Sequence, residues 1–153
     1  MTLAQLIREI EGAAMQHPSI NMIVRNDIFR INHAPTLKYG AFAWTQGQHT
    51  GNINGMMTYS FTLFYVDRLK SDGSNQIEVQ SVGCQTLDNI LRMLEQKHDV
   101  EVTSYTFQPF NQRFTDECAG VFCNVSLGVP ATTLCGESFG DYSQDFNGDF
   151  LIY

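Results

Sequence analysis

The fold is decided by residues 57–69, whose sequence is MTYSFTLFYVDRL. Large apolar side chains occupy the odd positions from Tyr59 to Tyr65 and alternate with small polar ones, the period of a strand with a buried face. Phe64 and Val66 make the opposite face partly apolar as well. A strand that is apolar on both faces is typically central in its sheet. The pattern therefore predicts a central strand here.

Two helices are predicted from apolar stripes at helical spacing. The first spans Thr2–Gln16, where Thr2 and Gln5 have the spacing of a capping box and Pro18 stops the helix. The second follows a turn at 71–74 and spans 75–96. Gly83 lies within its apolar stripe, so we expect either close packing on the sheet or a kink.

The remaining segments predict further strands and connections. A polar, glycine-rich stretch at 47–55 is expected to be a mobile loop between strands, and 21–31 is expected to be a short hairpin or a broken strand around the Asn26-Asp27 turn. Strands are also predicted at 38–46, 100–107 and 117–129, with a connection at 109–115.

These elements predict an α+β fold, in which a mostly antiparallel sheet is flanked by the N-terminal helix and one long central helix. We expect residues 1–136 to form a single domain. Residues 137–153 have no periodicity and are expected to form an irregular C-terminal arm. The arm contains four acidic residues and no basic one.

Composition narrows the classes of function. The chain has 153 residues, 16 acidic and 9 basic, for a net charge of −7. This balance argues against a general nucleic-acid binder but allows a surface along which DNA slides. The sequence shows neither a secretion signal nor an apolar run of the ~20 residues that a membrane span needs. We therefore expect no membrane partner, and reduced thiols at the four cysteines.

No catalytic or metal-binding pattern emerges. The four histidines do not pair with each other or with a cysteine at ligand spacing, and Cys118 and Cys123 are expected on opposite faces of one strand. The acidic residues Asp116 and Glu117 before Cys118 would oppose the lowered pKa that a nucleophile needs. The glycine-rich stretch lacks the Lys-Ser or Lys-Thr of a phosphate loop. We predict no catalytic residue, no cofactor and no metal.

Interaction surfaces remain as candidates. Asp67 and Arg68, at the end of the central strand, are either a partly exposed ion pair or an intersubunit contact. The glycine-rich stretch offers Gly51, Asn52 and Asn54. The arm carries aromatic residues at spacings of three or four, which suit docking onto another subunit or onto the protein's own body, with disorder as a further alternative. They are Phe139, Tyr142, Phe146, Phe150 and Tyr153.

Four segments carry a resemblance to a known family: YSFTLFYVDRL at 59–69, DGSN at 72–75, the helix at 77–94 and RFTDECAGV at 113–121. They resemble small virion proteins of tailed phages that infect Bacteroidetes, including crAss-like phages. The order of elements is similar to that of the tail-terminator fold, whose members assemble into rings between the portal and the tail or at the end of the tail tube.

The resemblance implies a structural virion protein. Six or twelve copies would form a ring at the portal vertex or the tail, beside neighbouring portal, connector or tail proteins. DNA would pass through the channel without specific binding, and no catalytic residues carry over. From the residues alone, a small non-enzymatic binding or assembly-accessory module remains an alternative, and an enzyme of unrecognised type is a third.

Overall fold

The computed structural model describes residues 1–33, 38–53, 55–97, 99–113 and 117–130. Two α-helices, a short 3-10 helix and five strands make up this part of the chain. In chain order they are α1 (Leu3–Gln16), β1 (Met22–Arg25), the 3-10 helix (Ile28–His33), β2 (Ala41–Asn52), β3 (Met56–Arg68), α2 (Gln76–Glu95), β4 (Glu101–Arg113) and β5 (Glu117–Pro130).

The five strands form one mixed sheet in the order β1-β2-β3-β5-β4. Strand β1 runs parallel to β2, and the other three pairings are antiparallel. Strand β3, which contains most of residues 57–69, is in the middle of the sheet, as predicted. The α+β class and the mostly antiparallel sheet with two flanking helices are confirmed.

One face of the sheet packs against the helices and forms the main core. Thr2 caps α1 through its side chain, and Gln5 returns a hydrogen bond to the Thr2 backbone, which confirms the capping box. Gly83 permits close packing rather than a kink, because a Cβ there would lie 3.0 Å from Cδ1 of Tyr65 and 3.2 Å from Cγ2 of Val121. The fully buried residues of this core include Leu6, Phe42, Leu63, Leu87, Ile90, Leu94 and Leu127.

The 3-10 helix covers part of the opposite face. Ile28 and Ile31 pack there against Ala41, Ala43 and Val66, in a second and smaller cluster. Cys118 belongs to this cluster and Cys123 to the main core, so the prediction that they face opposite ways is confirmed.

Three predicted boundaries were wrong. Residues 47–52 are not a loop but the second half of β2. Residues 49–52 pair with the start of β3, after a bulge between Gln46 and His49. Strand β4 continues to Arg113 through Pro109, which a strand at the sheet edge tolerates. The apolar residues after Asn26 form the 3-10 helix rather than a strand, since Asn26 turns the chain with a φ of 63°.

Candidate interaction surface

The β2–β3 hairpin ends in an apolar tip. The N–H of Gly55 donates to the carbonyl of Asn52 at 3.0 Å, and Gly55 has a φ of 94°, a conformation that favours glycine. Ile53, between them, is 101% exposed, and Met56 is partly exposed beside it. Gly51 and Asn52 are therefore strand residues leading to the tip. Asn54 lies outside the described residues.

The hairpin tip shares its end of the molecule with both ends of the described chain. Met56 is paired with Pro130, the last described residue of β5. The N-terminal ammonium of Met1 donates to the carbonyl of Pro130 at 3.3 Å. We call this region the hairpin end. An exposed apolar tip and the point from which residues 131–153 continue thus lie side by side.

The sheet face opposite the α-helices carries two rows of small polar side chains that cross four strands. Thr45, Thr62, Asn124 and Thr106 face one another in one row. Ser60, Ser126 and Ser104 make up the other, which Gly47 extends without a side chain beside Ser60. Oγ1 of Thr62 donates to Oδ1 of Asn124 at 2.8 Å, and the Ser60 and Ser126 hydroxyls are 3.5 Å apart. We call these eight residues the hydroxyl face. None of them is charged.

An aromatic cluster borders the hydroxyl face. Phe64, Phe110 and Phe122 come from three neighbouring strands, with ring centroids 5.9–6.3 Å apart. All three are half-buried, so the cluster is an apolar patch next to a neutral polar one.

Asp67 and Arg68 point to opposite faces of the sheet, as neighbours in a strand do. Oδ1 of Asp67 accepts from the backbone N–H of Arg68 at 2.7 Å, and its Oδ2 lies 3.4 Å from the Tyr65 hydroxyl. The Arg68 guanidinium lies over the ring of Tyr39, 5.6 Å from its centroid. Asp67 therefore contacts the backbone of Arg68 and the Tyr65 hydroxyl, while the Arg68 guanidinium contacts Tyr39.

Two cysteine thiols of the described residues have raised pKa values, and these residues contain no cluster of metal ligands. Burial raises the pKa of Cys84, and burial raises the pKa of Cys123 to about 11. No group of three or more His, Cys, Asp or Glu side chains within the described ranges is placed to hold a metal ion. Neither α-helix of this part has the length and hydropathy to cross a bilayer.

One predicted set of surface residues lies outside the described residues, and one observed surface was not predicted. The five aromatic residues of the arm, Phe139, Tyr142, Phe146, Phe150 and Tyr153, lie outside the described residues. The hydroxyl face was not predicted, although alternating serines and threonines in 58–62 and 103–106 were a signal for it. Only the pairing register brings the separate strands' side chains into rows.

Comparison with known proteins gives no family assignment. No protein-family model matches the chain. No curated protein matches it either.

Proposed function

We propose that the chain is a structural subunit of a ring in the portal–tail connector or tail terminator of a tailed phage. The ring would hold six or twelve copies, join neighbouring rings and leave a channel for DNA. The supporting observation is the hairpin end, where the exposed Ile53 lies near Pro130, the last described residue of β5.

The hairpin tip has the chemistry of a contact residue. A fully exposed isoleucine side chain contributes no burial free energy to the monomer, whereas its burial at an interface would contribute about 1.5–3 kcal/mol. A few well-buried residues typically carry most of the energy of a protein interface. A protruding tip that meets a different surface on the next copy makes a head-to-tail contact, and such contacts form a ring when the rotation between copies closes.

Charge supports passage of DNA rather than its capture. The net charge of −7 repels a duplex, and the hydroxyl face provides no cation for phosphate binding. DNA would therefore pass such a ring without specific binding. No catalytic role is part of this proposal.

Electron microscopy of virions carrying a tagged copy tests the location. We expect the tag at a ring between the portal and the tail or at the tail end, and density anywhere else contradicts the proposal. The second candidate, a non-enzymatic assembly-accessory module, predicts that mass spectrometry of purified particles finds no copy of the chain.

A pair of isoleucine variants tests the role of the hairpin tip. Ile53→Asp places a charge at the tip and should abolish incorporation into particles. Ile77→Asp is the matched control, because Ile77 is also exposed, at 74%, but lies at the start of α2. If both variants were incorporated equally, the hairpin tip would not be part of the interface.

A further inference from the structure

Among the described strands, β4 is a long sheet edge that lacks charged side chains over most of its length. It is the last strand of the sheet and spans 13 residues. The eleven residues from Val102 to Gln112 include no charged side chain. Proteins usually protect such edges with charges, prolines, bulges or short strands. An edge of this length and composition is therefore a candidate for pairing.

The opposite edge of the sheet is protected. Strand β1 has four residues, and Asn26 turns the chain away immediately after it. The guanidinium of Arg30 donates to the carbonyl of Arg25 at 3.2 Å, which occupies a backbone acceptor at the end of this strand. The contrast between the two edges points to β4 as the side where pairing takes place.

The accessible stretch of β4 is five residues long. A bulge between Val102 and Ser104 bounds it on one side, and Pro109 bounds it on the other, which leaves Ser104–Gln108. Pro109 also indicates which residues of β4 direct their backbone N–H groups away from β5, because a proline is accommodated where its missing N–H would point away from the neighbouring strand. Tyr105 and Phe107 lie four and two residues before Pro109 and so have the same backbone orientation. Their N–H and C=O groups therefore point outward, away from β5.

The side chains of this stretch hold it in place. The Tyr105 hydroxyl donates to Oδ1 of Asp88 on α2 at 2.8 Å, and the rings of Tyr105 and Phe107 are in edge contact at 5.4 Å. The stretch is therefore ordered before any strand pairs with it. A strand that pairs there loses conformational entropy itself, but β4 loses little.

The chain itself contains a segment of matching length and chemistry. Its last five residues, DFLIY at 149–153, are mostly β-favouring and apolar. We propose that residues 149–153 of a second copy pair with Ser104–Gln108 as a sixth strand. This inference rests on the proposed function, because it names the contact that joins neighbouring subunits.

The length of the intervening chain allows the segment to reach a second copy. Pro130 lies at the end of β5, and β4 is the adjacent strand, so the chain's own edge is roughly 10 Å away, about two strand spacings. The 18 residues between Pro130 and Asp149 span up to about 60 Å when extended. That reach is about six times the distance to the chain's own edge, so the edge of a neighbouring subunit in a ring lies within range.

Amide exchange in the full-length chain tests the pairing. We expect the Tyr105 and Phe107 amides to exchange at least ~10-fold faster in the double variant Leu151→Pro, Ile152→Pro, because proline removes the donors of an added strand. Ser143→Pro, within the spacer, is the matched control and should exchange as the wild type does. Equal exchange in the wild type and the double variant would overturn the proposal.

A mixing experiment shows whether the terminal segment that pairs with β4 comes from a second copy or from the same copy. Isotope-labelled double-variant chains have an intact β4 but no competent terminal segment. Excess unlabelled wild type should restore slow exchange at Tyr105 and Phe107 of the labelled chains if the segment comes from a neighbour. Absence of restoration would assign the segment to its own copy and reject the proposal. This readout does not depend on the location in the virion, so a protein found outside any ring could still pass it.

Discussion

Glu11 and Arg25 form a two-pronged ion pair that ties α1 to β1. Nε of Arg25 donates to Oε1 and Nη2 to Oε2, each at 2.8 Å. Nε1 of Trp44 on β2 donates to Oε1 at 3.0 Å, so one carboxylate connects three elements. The Glu11 side chain is 7% exposed and that of Arg25 64%, so the cation covers a carboxylate that lies below the surface.

Replacement of Glu11 should destabilise the fold. Glu11→Gln removes the charge that Arg25 and Trp44 bind, and a hydrogen bond to a buried charged group contributes about 1.5–3 kcal/mol. We expect a loss of roughly that size in denaturant unfolding. Glu9→Gln on the same helix is the control, since Glu9 pairs with Lys97 at the surface and such pairs contribute under about 1 kcal/mol. Similar losses in both variants would contradict the central role of Glu11.

The same ion pair should make stability depend on pH in the acid range. Burial alone would raise the pKa of Glu11, but the hydrogen bonds from Arg25 and Trp44 and the charge of Arg25 together lower it below its ordinary value of 4.5. A lowered pKa contributes stability that is complete above 4.5 and is lost as the pH falls below it. The difference in unfolding free energy between wild type and Glu11→Gln should therefore shrink below pH 4.5. A difference that stays constant down to pH 3 would refute this.

Two glycines in helices should respond to alanine with opposite signs. Gly83→Ala places a Cβ against Tyr65 and Val121, and overpacking of this kind costs about 1–3 kcal/mol. Gly12→Ala on α1 meets no atom within 4 Å and should stabilise the helix by up to about 1 kcal/mol. Thermal and denaturant unfolding of the two variants measures both effects. Stabilisation by Gly83→Ala would mean that α2 can move away from the sheet.

The buried thiol of Cys123 should react slowly. Because only the thiolate is nucleophilic, a pKa of about 11 in place of 9.0 lowers the reactive fraction about a hundredfold at pH 8. Peptide-resolved mass spectrometry after brief iodoacetamide treatment should find Cys123 almost unlabelled. Labelling in guanidinium chloride is the control and should be complete. Fast labelling of the folded protein would show that β5 opens readily.

Much of the fold was predictable because it depends on local periodicity. Alternation over 57–69 identified the central strand, and the stripe from Val79 to Leu94 identified the long helix. The interaction surface was predictable only in part. The stretch at 47–55 was recognised as a candidate, but its first six residues belong to β2, where residues 49–52 pair with β3 despite the glycines and polar side chains.

The sequence alone determined the elements that bury one face, because apolar spacing repeats within each element. Only the tertiary structure decided which side chains meet across elements. Glu11, Arg25 and Trp44 are far apart in the chain, and no local pattern predicts that they share one carboxylate. The strand order likewise left β4 at the edge and placed the hairpin tip beside Pro130, because pairing register and sheet order arise from contacts between distant segments.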